Sequence, residues 1–366
     1  MKLDQNKFHK KFKLNNNSFA SVDELQAYTK GFSSEIYQFL EAWFSDDKVI
    51  IVNTSGSTGK PKPISLKKDF VVNSAKATSL YFDLQANTKA LLCLPTAYIA
   101  GKLMLIRALT LGWHLDVVEP NSNPLETINK KYDFSAMVPL QVENSLTKLN
   151  FIQKLIVGGG VVSNTLQEKL QEIATEVFAT YGMTETITHV AVKNLNNFSP
   201  LKNIFSIKRI FIPQKKILKN EFYQTLPNVR IYKDERNCLV ISAPKVSDEI
   251  IFTNDVVNLI SDRQFEWLGR FDNVINSGGV KLHPEKIEEK LSKIITNRFF
   301  VAGIPDEKLG EKLVLIVEGN QQEIKTDTVQ LSKFEVPKEI YFVNKFVETE
   351  TAKIQRKKTV AKIFTK

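Results

Sequence analysis

Between residues 48 and 178 the chain alternates short apolar runs with longer segments of helical periodicity, and this alternation restricts the fold more than any other feature. The runs at 48–53, 91–95, 115–118, 134–139, 154–157 and 176–178 are rich in Val, Ile, Leu and Phe and read as strands, the first of them buried. The segments 68–80, 103–111, 123–131 and 164–173 read as helices between them. Strands that alternate with helices pack as a parallel sheet covered by helices. After residue 190 short strands (209–212, 229–232, 239–242) follow one another without helices, which predicts an antiparallel barrel or meander. From Gly278 a helix at 284–295, strands at 298–302, 312–317 and 339–343, and a basic helix at 357–364 predict a small separate unit. Upstream, apolar residues at helical spacing across 22–44, with Ser21 as N-cap, predict one helix. The expected fold is α/β. A large N-terminal domain carries mostly parallel sheets flanked by helices plus a small antiparallel β region, and a small α/β C-terminal domain follows. The domains are 1–269 and 270–366.

The loop after the first strand, Thr54-Ser55-Gly56-Ser57-Thr58-Gly59-Lys60-Pro61-Lys62, concentrates hydrogen-bond donors. Two glycines let the backbone turn tightly and bring N–H groups against an anion, and four hydroxyls and two ammonium groups add to them. The chemistry is that of a phosphate cradle, although a plain turn between strands has similar composition. The spacing is not the Walker one, which needs glycines five apart and a helix starting directly after the lysine. Here Pro61 keeps Lys60 out of helical geometry.

Composition excludes several classes. Of 366 residues, 43% are hydrophobic and 25% charged, as in ordinary globular proteins, and the length suggests two or three domains. Cys93 and Cys238 lie in apolar runs without paired spacing, which predicts reduced buried thiols in a cytoplasmic protein and no disulfide or zinc site. The N-terminus lacks the apolar core of a secretory signal. The apolar stretch 90–113 is broken by Pro95, Lys102 and Arg107, so no membrane span is expected. A net charge of +10 permits a nucleic-acid partner, but the lysines are dispersed and the basic runs lack interleaved aromatics, so none is expected. The excess suits anionic small molecules.

Four further stretches carry chemistry. Tyr181-Gly182-Met183-Thr184-Glu185-Thr186 offers a ring that can stack on a purine, a glycine for close approach, a hydroxyl for a phosphate oxygen and a carboxylate for a divalent cation. Thr253-Asn254-Asp255, read as a strand end, offers a carboxylate to the hydroxyls of a ribose. Residues 268–285 couple Arg270 to the pair Gly278-Gly279. Near the C-terminus, 351–356 presents Lys353 from a loop. Each alone is also compatible with a loop, a turn or a solvated surface charge.

In this order the stretches resemble the adenylate-forming superfamily of acyl- and aryl-CoA ligases, peptide-synthetase adenylation domains and luciferases, over about residues 50–358. The resemblance implies ATP, Mg²⁺ and coenzyme A as cofactors and co-substrates. It places ATP's β and γ phosphates in the 54–62 loop. Gly158-Gly159-Gly160 and Tyr181-Gly182 form the adenine pocket, with Thr184 at the α-phosphate and Glu185 on Mg²⁺. Asp255 and Arg270 fall at the ribose, Asp272 at a hinge, Lys353 at the catalytic lysine, and Gly278 and Gly279 in the loop used for the thioester step. A carboxylate attacks the α-phosphorus, pyrophosphate leaves, and a thiol then attacks the acyl-adenylate. Neither step requires a protein nucleophile, only positive charge where negative charge accumulates. A lysine used in one step can be carried by a domain that later rotates away.

Residues 94–107 resemble the family stretch Leu-Pro-x-x-His-x-x-Gly, with Tyr98 in place of the histidine. Arg107 stands among Leu103, Met104, Leu105, Ile106 and Leu109, either reaching solvent or pairing with a second carboxylate of the substrate. An aromatic dicarboxylate fits o-succinylbenzoate, and the run 181–190 is similar to short o-succinylbenzoate-CoA ligases of menaquinone biosynthesis, with Thr188 and His189 bordering the acyl pocket. Another aryl or acyl acid, a carrier protein as acceptor, and a non-catalytic nucleotide-binding homologue stay open. The expected partners are a small carboxylic acid, ATP and CoA, and a homodimer is compatible with the family. Only 53 residues precede Thr54, so a trimmed first subdomain is expected.

Overall fold

The apolar stripe at 22–44 folds as two helices. The computed structural model of the chain describes residues 8–53, 63–196, 222–349 and 354–364. After a short strand β1 (Lys13–Leu14), α1 (Val22–Phe32) and α2 (Ser34–Phe44) meet at Ser33. Its backbone is extended (φ −153°, ψ 114°), and its hydroxyl accepts from the Ile36 N–H at 3.4 Å. A serine that caps the next helix ends the one before it, which the apolar periodicity could not reveal. Ser21 caps α1 as expected, accepting from the Glu24 N–H at 3.2 Å.

The run at 48–53 is only half buried. It forms β2 (Val49–Asn53), which pairs antiparallel with β3 (Pro63–Lys67) in a two-stranded ribbon. Ile50 and Val52 are buried but Ile51 is 60% exposed, because only one face of the ribbon is covered. The loop 54–62 between these strands lies outside the described residues.

The alternating region builds the parallel half of the main sheet. Its elements are α3 (Lys68–Phe82), β4 (Lys89–Leu92), α4 (Ile99–Leu111), β5 (His114–Val117), β6 (Tyr132–Met137), α5 (Pro139–Asn144), β7 (Ile152–Val157), α6 (Asn164–Leu170) and β8 (Glu176–Gly182). The strands lie in the order β1-β5-β4-β6-β7-β8, all parallel. The helix expected at 123–131 is replaced by turns. Asn121 Oδ1 accepts from the Asn123 N–H at 2.7 Å and Pro124 follows, a local arrangement that competes with helix formation.

Beyond β8 every pairing in this sheet is antiparallel. β9 (His189–Asn194), β10 (Tyr223–Thr225), β11 (Arg230–Lys233), β12 (Cys238–Ser242), β13 (Ile251–Ser261) and β14 (Gln264–Arg270) extend it in the order β8-β9-β10-β14-β13-β12-β11. This is the expected antiparallel region, and the strand expected at 209–212 lies outside the described residues. Cys93 and Cys238 are buried free thiols, as expected, and burial pushes the Cys93 thiol up to about 12.

A second sheet holds β15 (Ile275–Ser277), β16 (Val280–Leu282), β17 (Phe299–Asp306), β18 (Gly310–Glu318) and β19 (Glu339–Val343). α7 (Pro284–Leu291) covers one face and α8 (Arg356–Phe364) the other. Along β18 the side chains alternate accordingly: Leu313, Leu315 and Val317 pack with α7, and Val314 and Ile316 with α8. Arg356 ties the two helices together through a two-pronged pair with Glu288 (2.6 and 2.8 Å). Gly278 and Gly279 form the two-residue turn between β15 and β16, with φ of 59° and 80°. Two consecutive positive φ values are what a tight type I′ hairpin turn demands.

Candidate active site

Parallel strands end along one edge, and open α/β sheets bind ligands outside those carboxyl ends. At that edge β7 runs into Gly158-Gly159-Gly160 and β8 ends in Tyr181-Gly182. Val157 pairs with Ala179, so the two stretches lie side by side. Thr180 donates its hydroxyl to the Val157 carbonyl at 3.1 Å, and a Cβ on Gly158 would stand 2.7 Å from that Thr180 oxygen. The glycine therefore permits the approach.

Tyr181 is held by both its ring and its hydroxyl. The ring meets Phe265 and Tyr223 edge to face, with centroids 5.1 and 5.8 Å away, and the hydroxyl donates to Asp255 Oδ2 at 2.6 Å. Burial, and after it the Asp255 carboxylate, pushes the phenol's pKa up. Asp255 Oδ1 accepts from the Trp267 indole N–H at 3.2 Å and lies 3.7 Å from Arg270 Nη1. A carboxylate has about four acceptor sites, so two remain for hydroxyls such as those of a ribose. Thr253-Asn254-Asp255, expected to end a strand, instead lies inside β13. A bulge between Val256 and Val257 lets the strand continue.

Thr184, Glu185 and Thr186 form one 3-10 turn directly after β8, with Glu185 exposed. Among the described residues no three His, Cys, Asp or Glu side chains converge as a metal site. A lone carboxylate suits Mg²⁺, which commonly takes one or two carboxylates together with substrate phosphates and water.

Arg107 does not reach solvent. It is 3% exposed on α4, and no carboxylate among the described residues pairs with it. Its Nε donates to Thr78 Oγ1 (3.3 Å) and its Nη2 to Thr188 Oγ1 (3.4 Å). Burial pulls its pKa down to about 10, so it stays cationic near neutrality. His189 lies against both hydroxyls, with Nε2 at 3.5 Å from Thr78 and Nδ1 at 3.3 Å from Thr188. Thr78 gives its own proton to the Ser74 carbonyl (3.1 Å). Its oxygen therefore accepts from His189 Nε2–H, and Nδ1 accepts from Thr188. Burial first and the Arg107 charge second hold His189 well below its ordinary pKa.

This burial has a pH signature. The folded state refuses a proton that His189 of the unfolded chain takes up below about pH 6.5, so stability is full above that pH and falls as the pH drops below it. One such group contributes a slope of up to about 1.4 kcal/mol per pH unit. In urea titrations from pH 7 to pH 5, His189→Gln is expected to lack this component. Parallel pH profiles for the two proteins would refute it.

Thr78, Thr186 and Trp267 were not singled out by sequence reasoning. For Thr78 a signal existed: it continues the buried stripe Val71, Ala75, Phe82 along α3, where a hydroxyl needs a partner. Other expected residues lie apart. Tyr98 is 62% exposed at the start of α4, nine positions before Arg107, about 13 Å along a helix. Asp272 follows β14, 3.5 Å from Arg270 Nη2. Nothing described lies within 4 Å of a Cβ built on Gly279, so the Gly278-Gly279 turn is not packed into the strand-end site. The 54–62 loop and Lys353 lie outside the described residues.

These features, an edge of parallel strands with glycine turns and a carboxylate with open acceptor sites, are those of a nucleotide-binding enzyme. The family model for AMP-binding enzymes matches residues 4–217, more than half of the chain, and the chain belongs to that family. The 2-succinylbenzoate--CoA ligase of Lactococcus lactis subsp. lactis (strain IL1403) is 26% identical over 343 residues, 87% of this chain and 72% of the relative. Among solved structures, the acyl-CoA synthetase (AMP-forming)/AMP-acid ligase II-like protein from Dyadobacter fermentans DSM 18053 is 37% identical, with a TM-score of 0.58. That match covers 90% of this chain and 94% of the other. The o-succinylbenzoate coenzyme A synthetase of Bacillus subtilis, in complex with ATP and a magnesium ion, shares the fold with a TM-score of 0.68 at 17% identity, over 94% and 83% of the chains.

Proposed function

We propose that the protein is an ATP-dependent carboxylate-CoA ligase that works through an acyl-adenylate, with o-succinylbenzoate as its acid. The observation that carries the choice of acid is Arg107, a buried cation without a described carboxylate partner beside a neutral histidine. A buried charge left unpaired is costly, and a substrate carboxylate relieves it. The Lactococcus relative is named for this acid, and the Bacillus structure holds ATP and magnesium.

The same reading gives the residues their roles. Tyr181, flanked by Gly158 and Gly182, borders the adenine, and Asp255 with Arg270 takes the ribose hydroxyls. Thr184 contacts the α-phosphate, and Glu185 would hold Mg²⁺, which would supply charge neutralisation at the phosphates. The 54–62 loop holds the leaving pyrophosphate. One oxygen of the acid's carboxylate attacks the α-phosphorus as the bond to pyrophosphate breaks. The CoA sulfur then forms the thioester as AMP leaves. Residues 1–269 and 270–366 act as two domains about Asp272, with Lys353 delivered for the first step and the Gly278-Gly279 turn for the second. The cytoplasm and a homodimer are the expected setting. No helix among the described residues is long and apolar enough to cross a membrane.

Pyrophosphate release with a panel of acids, with and without CoA, tests the reading. The expected result is adenylate formation with o-succinylbenzoate before any CoA is added, thioester only after CoA, and a kcat/KM at least about 30-fold lower for acids that lack a second carboxylate. Equal use of a simple fatty or aryl acid would overturn the choice of acid.

A further inference from the structure

The turn between Glu185 and Thr188 is strained, and it lies where the nucleotide end of the site meets the acid end. Ile187 has φ 66° and ψ −53°, and the Thr188 N–H donates to the Thr186 carbonyl at 2.7 Å. Together these close a γ-turn of the rare, strained hand. A β-branched residue at positive φ is an outlier, and such a conformation persists only where its surroundings over-determine it.

Here they do. The Thr186 hydroxyl lies within donor reach of both the Met183 carbonyl (2.9 Å) and the Thr188 carbonyl (2.6 Å), and it accepts the Met183 N–H at 3.0 Å. One buried hydroxyl thus straps together the residues before and after the turn. The Ile187 side chain is anchored in the main core at 3% exposure. Gly182 lies so close that a Cβ there would collide with the Thr188 carbonyl oxygen. On one side of the strap stand Thr184 and Glu185. On the other, Thr188 touches both Arg107 and His189.

We infer that Thr186 and Ile187 are positioning residues that fix the acid-binding end of the site in register with the phosphate-binding end. Resting on the dicarboxylate reading above, this means that an acid held at Arg107 and Thr188 by one carboxylate has its other carboxylate set against the α-phosphate at Thr184. A relaxed turn would let Thr188, and Arg107 with it, shift relative to Thr184. A displacement of about 1 Å is enough to slow a positioned reaction on the order of 10²-fold. An acid without the second carboxylate does not span the two ends and gains nothing from the strap.

The test compares Thr186→Val, which removes the hydroxyl at nearly constant volume, with Thr186→Ser, which keeps it. Adenylation is read by pyrophosphate release with o-succinylbenzoate and with its analogue in which the carboxylate that is not activated is a carboxamide. Thr186→Val is expected to lower kcat with o-succinylbenzoate by about 10- to 100-fold, with the KM for ATP unchanged within about twofold and little effect on the carboxamide. Thr186→Ser is expected to restore the rate. Equal loss with both acids, or a serine variant as impaired as the valine one, would reduce Thr186 to a fold-supporting residue and overturn the inference. Ile187→Gly, which takes positive φ without strain, is expected to narrow the preference for o-succinylbenzoate over the carboxamide, and an unchanged preference counts against the inference. Arg107→Met in the same assay separates the two ideas. If it leaves the preference intact, the dicarboxylate reading fails; if it abolishes the preference while Thr186→Val does not, the positioning inference alone fails.

Discussion

Arg107→Met is expected to make the protein more stable and its chemistry worse. An unpaired buried charge is a burden on the fold, and replacing buried ionic groups by apolar side chains of similar size commonly stabilises by about 1–4 kcal/mol, here a rise of roughly 2–5 °C in melting temperature. The hydroxyls of Thr78 and Thr188 lose one donor each but keep the Ser74 carbonyl and His189 as partners. In the same variant a bound dicarboxylate faces methionine in place of the guanidinium. Leaving one member of a buried charge pair alone costs about 2–5 kcal/mol, so kcat/KM for the dicarboxylate falls by about 30- to 5 × 10³-fold while the KM for ATP stays within about twofold. Thermal melts with and without acid provide a second reading, because the acid should raise the melting temperature of the parent protein and not of the variant. Unchanged dicarboxylate kinetics would remove Arg107 from the acid site.

Lys353→Ala should act on one half-reaction only. If its ammonium neutralises charge developing on the α-phosphate, its loss lowers adenylate formation by about 10²- to 10³-fold, the range for removal of one preorganised donor. Thioester formation from a supplied acyl-adenylate should stay within about threefold, because that step does not use the lysine. Lys353 itself lies outside the described residues, but the chain on either side is fixed. Glu348 bridges to Ile354, the Gln355 N–H donates to the Val347 carbonyl at 2.7 Å, and Arg356 is clamped to Glu288. Equal loss of both half-reactions would mean that Lys353 supports the fold or both steps, and the delivery of a lysine by a mobile domain would have to be abandoned.

Much of the fold was legible because it is written in local periodicity. Seven apolar runs, at 91–95, 115–118, 134–139, 154–157, 176–178, 312–317 and 339–343, became strands because apolar β-rich segments between turn residues have few other ways to be buried. The errors share a cause. Ser33 splits a helix, Asn121 and Pro124 suppress another, and Ile51 is exposed on a ribbon, each through a hydrogen bond or neighbour that periodicity does not encode. The site shows the same division. Tyr181, Thr184, Glu185, Asp255 and Arg270 were named from the sequence because they sit in ordered stretches whose residue types suit a nucleotide. Trp267 and Thr186 were not, because what they do depends on what lies opposite them.

By itself, then, the sequence determined the class of architecture, the order of its motifs and the chemistry that those residue types can perform on a nucleotide and a carboxylate. Only the tertiary structure decided whether Arg107 reaches solvent. An arginine on an apolar helix can extend along the surface into water or be enclosed, and nothing in its neighbours along the chain distinguishes the two. Packing α4 against α3 and the start of β9 enclosed it, with Thr78, Thr188 and His189 brought from 29, 81 and 82 positions away. The strain at Ile187 is likewise a tertiary property. No local preference favours positive φ for isoleucine, and the turn exists because Thr186, Gly182 and the core around Ile187 together leave the backbone no other course.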